Sequence, residues 1–403
     1  MGTGGTGMKR AVFIIFLVLC LSFTLAAQTP NQFEAQTKHY RVISENSAEQ
    51  AQLTADRLEA MLSLYNDYFH FDLDSLPARM KVRIFSSKSR FNDYLNRTIK
   101  QTRDDFVYLH YADATKSELL AFNREAPDFN VSLIHQNFIQ YLRAFVPNPP
   151  LWMREGFAVY FEQSTYDPDF KTAVYKENLS WLETLKNIVT GQGGKSPIGL
   201  ADMLSMDVES AKANIDVFYP EAWGMVSFLA NSENKDVNRL LWDSINALHP
   251  QATLSENDQR VSRQAFSWMN TSFLADQFVS FVQNTRSFRG LVEAGMDSYS
   301  SSDLTQAEAY FVKALALRND NYVPYYYMGL INYDNKNYRL ADYYYRTALD
   351  KGAAPALTYY ALGVNAYAAD NYDEATNYLN QTISIDPDNF TDKASELLGR
   401  MNG

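Results

Sequence analysis

At 403 residues the chain is long enough for two or three domains. Hydrophobic residues at 46% and aromatics at 14% match packed globular domains and argue against disorder. The formal charge of −11, with no run of Lys and Arg, leaves no basic face for a nucleic-acid partner.

The first predicted element is a secretory signal. Lys9 and Arg10 precede an apolar run from Ala11 to about Leu25, and the small Ala26 and Ala27 follow, with Met8 the natural start. This assigns residues 1–27 to a signal peptide and the protein to an exported location, the periplasm first. A membrane anchor is the alternative, but the run is shorter than the about 20 apolar residues that span a bilayer. Cys20 is the one cysteine and lies inside the run. Leu19 before it disfavours lipidation, because a lipoprotein signal wants a small residue there. Once cleaved, the chain has no cysteine and makes no disulfide.

Residues 31–285 open as α+β. "KHYRVIS" and "MKVRIFSS" alternate apolar and polar side chains and are predicted strands. Between them Leu58, Met61, Leu62, Tyr65 and Phe69 fall at helical spacing, with Ser47 and Gln50 as a capping box. From about residue 91 the pattern is mostly helical, so a small mixed sheet followed by helices is expected. "TGQGGKS" at 190–196 is a loop and not a phosphate cradle, since the first glycine of GxxxxGK[ST] would fall at Val189.

The stretch "HQNFIQYL" at 135–142, then "PNPP" at 147–150 and "WMREGFAVYFE" at 152–162, carries the chemistry to be weighed. On a helix, residues four apart share a face, so a His-Glu-x-x-His pair reaches one metal while its glutamate takes a proton from the bound water. With the flanking "KVRIFSSKSRFNDYL" and "FYPEAWGMVSFL", about residues 38–230 resemble the peptidase MA-like branch of the gluzincins. There a His-Glu-x-x-His helix precedes a Trp-Leu-x-Glu-Gly-x-Ala-x-Tyr helix that supplies the third ligand. The resemblance implies that His135 is the first ligand and Glu155 the third. It also places Gln136 at the general-base position and Ile139 at the second-ligand position. An amide cannot accept the proton, and losing a general base costs about 10²–10⁴ in rate. Two protein ligands are fewer than the three that a catalytic zinc usually keeps. His39, His70, His110 and His249 lie elsewhere, none at i+4 on this helix. The expected site is therefore vestigial: His135 bonds Glu155, Trp152, Phe157 and Tyr160 pack, and Arg154 is exposed with no role. No cofactor is expected; zinc enters only under the alternative of a metallopeptidase with a non-standard metal site.

Residues 286–403 repeat. Gly295, Gly329 and Gly363 are spaced by 34, as are Ala307, Ala341 and Ala375, Tyr299, Tyr333 and Tyr367, and Tyr310, Tyr344 and Tyr378. A 34-residue period with small residues in each helix resembles the tetratricopeptide (TPR) array. Three repeats with a short capping helix are expected, an all-α solenoid behind a mostly helical α+β domain. By the family pattern the concave groove presents Val292, Met296 and Tyr299, then Tyr326, Leu330 and Tyr333, then Tyr360, Val364 and Tyr367. Tyr326 and Tyr360 are expected side by side and partly exposed; the alternative is that some of these tyrosines fill the repeat core.

These elements together predict an exported, non-catalytic, peptidase-like protein that binds a partner protein or peptide through its groove. The alternatives are the zinc metallopeptidase and a carrier of a small ligand or lipid segment in the apolar groove. No membrane span is expected in the mature chain.

Overall fold

The computed structural model describes residues 32–402, so the expected signal segment lies outside the described residues. β1 (Phe33–Gln36), β2 (Tyr40–Ser44), β3 (Met80–Phe85), β4 (Val107–Leu109) and β5 (Glu118–Phe122) form one sheet in the order β1-β2-β3-β5-β4. β2, β3 and β5 run parallel, and the two edge strands are antiparallel to their neighbours. β2 and β3 are the two predicted strands. β4 and β5 interrupt the stretch expected to be helical from residue 91. All five residues of β5 are buried, so its sequence shows no alternation.

α1 (Ala48–Phe69) crosses from β2 to β3 and buries the predicted face of Leu58, Met61, Leu62, Tyr65 and Phe69. Ser47 caps it by accepting the Gln50 N–H, but no capping box closes. The Gln50 amide oxygen instead accepts from the Ser44 hydroxyl and the Asn46 amide. α2 (Lys88–Ile99) follows β3, and α3 (Asp128–Phe145) and α4 (Leu151–Phe161) carry the motif stretch. The Tyr65 ring sits 5.2 Å from Phe138, 5.5 Å from Tyr141 and 5.1 Å from Phe161, joining α1, α3 and α4 in one aromatic core.

A short hairpin, β6 (Thr165–Asp167) and β7 (Thr172–Val174), leads to α5 (Leu182–Val189), α6 (Leu200–Leu204) and α7 (Val208–Ala213). The segment between α5 and α6 is the predicted loop, with left-handed Gly191 and Gly194. α8 (Ile215–Asn231), α9 (Lys235–Ala247), α10 (Leu254–Val261) and α11 (Thr271–Asn284) complete this part. α8 lies against α4 so closely that a Cβ on Gly156 would stand 2.3 Å from the Ala222 carbonyl oxygen.

Next come three antiparallel helix pairs: α12 (Phe288–Ser300) with α13 (Leu304–Leu317), α14 (Tyr322–Asp334) with α15 (Tyr338–Asp350), and α16 (Pro355–Ala368) with α17 (Tyr372–Ile385). The final helix, α18 (Pro387–Asn402), has 16 residues, longer than the short cap expected. Each pair closes on its glycine: Gly295 faces the Phe311 ring, Gly329 the Tyr345 ring and Gly363 the Leu379 side chain. Ala307, Ala341 and Ala375 are fully buried beside them, as are Ala314 and Ala348, and Thr382 takes that place in the third pair. The link within each pair turns on a left-handed residue, Ser302, Lys336 and Asp370, again 34 apart, with φ of 62°, 61° and 58°.

Those turns and glycines give a paired test by thermal melting. Lys336→Gly removes the Cβ from a left-handed residue and should raise stability by about 0.5–1 kcal/mol. Gly329→Leu forces a side chain onto a ring that already lies 2.5 Å from the position of its Cβ. It should cost about 3 kcal/mol, and an unchanged melting temperature would remove the close-packing account.

Candidate functional site

α3 and α4 bring His135 and Glu155 together, with partners that spacing along the first helix does not reveal. His135 Nε2 lies 3.7 Å from Glu155 Oε2, while its Nδ1 lies 2.8 Å from Glu162 Oε2. The short hydrogen bond is therefore to Glu162, not to Glu155 as expected. Asn178 holds the other Glu162 oxygen at 2.8 Å, and its amide also reaches the Val159 carbonyl. Arg154 is not an exposed bystander: its Nε donates to Glu155 Oε1 at 2.7 Å. Tyr219 from α8 donates its hydroxyl to Glu155 Oε2 at 3.2 Å. Trp152, Phe157 and Tyr160 are buried packing residues.

The electrostatics follow from this enclosure. Burial alone would push His135 down, but Glu155 and Glu162 on its two nitrogens hold it up to about 9. Burial would likewise raise Glu155, yet Arg154 and His135 hold it down to about 2. The cluster is two cations against two carboxylates, each bonded.

Gln136 and Ile139 have structural duties. The Gln136 side-chain oxygen accepts the Tyr108 N–H at 3.1 Å, which ties α3 to edge strand β4. Ile139 is buried in the main core. On the Nε2 side of His135 the carboxylate is Glu155; Glu162 sits on the opposite ring nitrogen, where an outer partner of a ligand histidine would sit. That leaves two donors on one side, one of them already bonded by a guanidinium, so these residues do not fit a catalytic zinc with its usual three ligands.

The predicted groove residues lie on the first helix of each pair. Met296 is 37% exposed, and Val292, Tyr299, Tyr326, Leu330, Tyr333, Tyr360, Val364 and Tyr367 are half-buried. Tyr326 and Tyr360 do not pack on each other. The Tyr326 ring lies 5.7 Å from Tyr345 in its own pair, and the Tyr360 ring 5.3 Å from Phe390 of α18. Tyr299 packs 5.6 Å from Tyr327 and donates its hydroxyl to Asp334 at 2.8 Å. Tyr333 and Tyr367 lean on Tyr338 and Tyr372, the same pairing one repeat apart.

Residues 356–389, which span most of the third helix pair, match the tetratricopeptide repeat family. No curated protein matches the chain in sequence. Among solved structures the chain is similar to the Arabidopsis OM64 TPR domain, at 17% identity over 28% of this chain and 93% of that one, with a TM-score of 0.27. It is also similar to the N-terminal domain of stress-induced protein-1 from C. elegans, at 18% identity over 27% and 93%, TM-score 0.25. A third is the first TPR of Spaghetti (RPAP3) bound to the HSP90 peptide SRMEEVD, at 16% identity over 29% and 94%, TM-score 0.27.

The ionic cluster sets a pH signature. His135 goes from an ordinary value of 6.5 to about 9, so its contribution is full below pH 6.5 and lost as pH rises through about 9. Glu155 goes from 4.5 to about 2, so its contribution is present above pH 4.5 and lost as pH falls through about 2. Buried Glu221 and Asp258, both raised to about 7, act in the opposite sense to Glu155 and the same sense as His135, costing stability as pH climbs through 7. Those two finish titrating by about pH 8, so the interval from pH 8 to 9 isolates His135 among these groups. Melting temperature should fall across that interval, and His135→Gln should flatten the fall while Glu221→Gln leaves it; equal slopes in all three proteins would refute the assignment.

Proposed function

We propose that this protein is an exported, non-catalytic, peptidase-like scaffold that binds a partner protein through the first-helix face of its C-terminal helical array. The observation that carries this reading is two series of half-exposed apolar and aromatic side chains at 34-residue intervals: Met296, Leu330 and Val364, and Tyr299, Tyr333 and Tyr367. Aromatic residues with large area and few rotatable bonds are the usual anchors of protein interfaces. The TPR match at 356–389 supports an interaction role for the array. Export rests on the sequence order of residues 1–27; among the described residues no helix is long and apolar enough to cross a membrane.

The first part supplies shape rather than reaction in this reading. Gln136 holds a strand, Ile139 fills the core, and Arg154 supplies the positive charge that a metal would bring to Glu155. Elemental analysis of purified protein should give far less than one zinc per chain, and one zinc per chain would sink the non-catalytic reading.

The binding face is tested by co-purification and mass spectrometry, followed by capture of the identified partner on variants. Tyr333→Ala and Tyr367→Ala should each weaken capture by about 2 kcal/mol, the scale of an interface hot spot. Their stability should change by about 0.5 kcal/mol or less, as for other surface truncations. If both variants melt as early as Gly329→Leu, these rings are core and the face is not the binding surface.

A further inference from the structure

A cavity of about 530 Å³ opens between the Leu76–Met80 segment, the end of β4 and the last turns of α3, outside the His135 cluster. Its charged walls are Arg79 and Arg143, with the His110 imidazole beside them, and no Asp or Glu side chain lines it. In a chain of net charge −11, an all-cationic lining stands out.

Arg143 is placed rather than loose. Its Nε donates to the Pro147 carbonyl at 2.9 Å, which fixes the guanidinium plane at the end of α3. Among the described residues it forms no ion pair. The carboxylate that most affects it is Glu155, and Glu155 is already bonded by Arg154 and Tyr219. Arg79 anchors its own Nε on the Thr37 carbonyl at 2.8 Å. Of the other polar groups, Ser117 bonds the Tyr111 backbone, Gln140 the Lys81 carbonyl and Asn148 the Ala252 carbonyl. Burial and the nearby Arg143 push His110 down to about 4, so it stays neutral, with Tyr108 Oη 3.4 Å from its Nδ1. The rest of the wall is apolar, with Leu76, Pro77, Met80 and Ala144.

A guanidinium with a fixed plane and spare N–H groups matches a carboxylate or phosphate edge, and an apolar wall suits the body that carries it. We propose that this cavity binds a small organic oxyanion, its charged end on Arg143 and Arg79 and its apolar body against Leu76 and Met80. The site is independent of the array face and of any metal.

Calorimetric titration of the purified full chain at pH 7 with benzoate, phenyl phosphate and neutral benzamide tests it. One equivalent of benzoate or phenyl phosphate should bind, the tighter of the two assigning carboxylate or phosphate, and Arg143→Met should weaken it at least tenfold. Because Arg143 also ties down the turn at Pro147, a second readout uses the unaltered chain. A bound anion offsets the field of Arg143 at His110, so the His110 proton resonance should titrate at least one pH unit higher with ligand than without. The other ionisable groups that line the cavity are Arg143, Arg79, Tyr108 and Tyr111, with no carboxylate among them. Binding of benzamide as tight as that of benzoate, no binding of either anion, or an unmoved His110 titration would each overturn the proposal.

Discussion

The fold depends on helices meeting at glycine. Helix axes normally stay 8–10 Å apart because side chains fill the space between them. At Gly156 there is no side chain, and α8 advances until the Ala222 carbonyl reaches the place a Cβ would occupy. Glu155 is the neighbouring residue, so the same approach brings Tyr219 onto its carboxylate. In the array Gly295, Gly329 and Gly363 do the equivalent work, admitting Phe311, Tyr345 and Leu379 from the partner helix. Each glycine costs its helix about 1 kcal/mol against alanine, so it persists only where the contact returns more.

That approach also explains how four charged side chains stay in a half-closed site. Burying charges costs several kcal/mol per ion, which attraction offsets only when geometry is good and each group is bonded. Here Arg154 and the protonated His135 alternate with Glu155 and Glu162, and Tyr219 and Asn178 take remaining carboxylate oxygens. The charge is balanced from within the chain. Removing His135 leaves Glu162 without a cation and removing Glu155 leaves Arg154 without a carboxylate, so the cluster locks α3 to α4 whether or not it has a chemical task.

Legibility in the sequence tracked how local each contact is. The array was readable because one contact recurs every 34 residues, so a single glance down the register counts it three times. α1 was readable because one face alone is buried. β5 was not, since it is buried on both faces and its apolar run carries no period. Arg154 was misplaced for the same reason: α4 is buried nearly all round, so spacing along it defines no exposed face. Glu162 was missed although it stands seven residues after Glu155, two turns along the same helix face; that spacing was the available signal. The contacts of Gln136 with β4 and of Ile139 with the core are tertiary and leave no mark in the motif.

The array shows how equal sequence positions come to have unequal surroundings. Tyr326 and Tyr360 hold the same place in adjacent repeats, yet one leans on its own partner helix and the other on α18. α18 buries Ala394 against the last repeat and turns Asp392, Lys393, Glu396 and Arg400 to water. A stacked array needs such a polar terminal helix, because its last repeat would otherwise leave an apolar face uncovered. Covering that face also covers Tyr360. Tyr299, Tyr333 and Tyr367 lean instead on rings of α14, α15 and α17 and stay half-buried, so the open aromatic surface follows that series rather than the one that holds Tyr360.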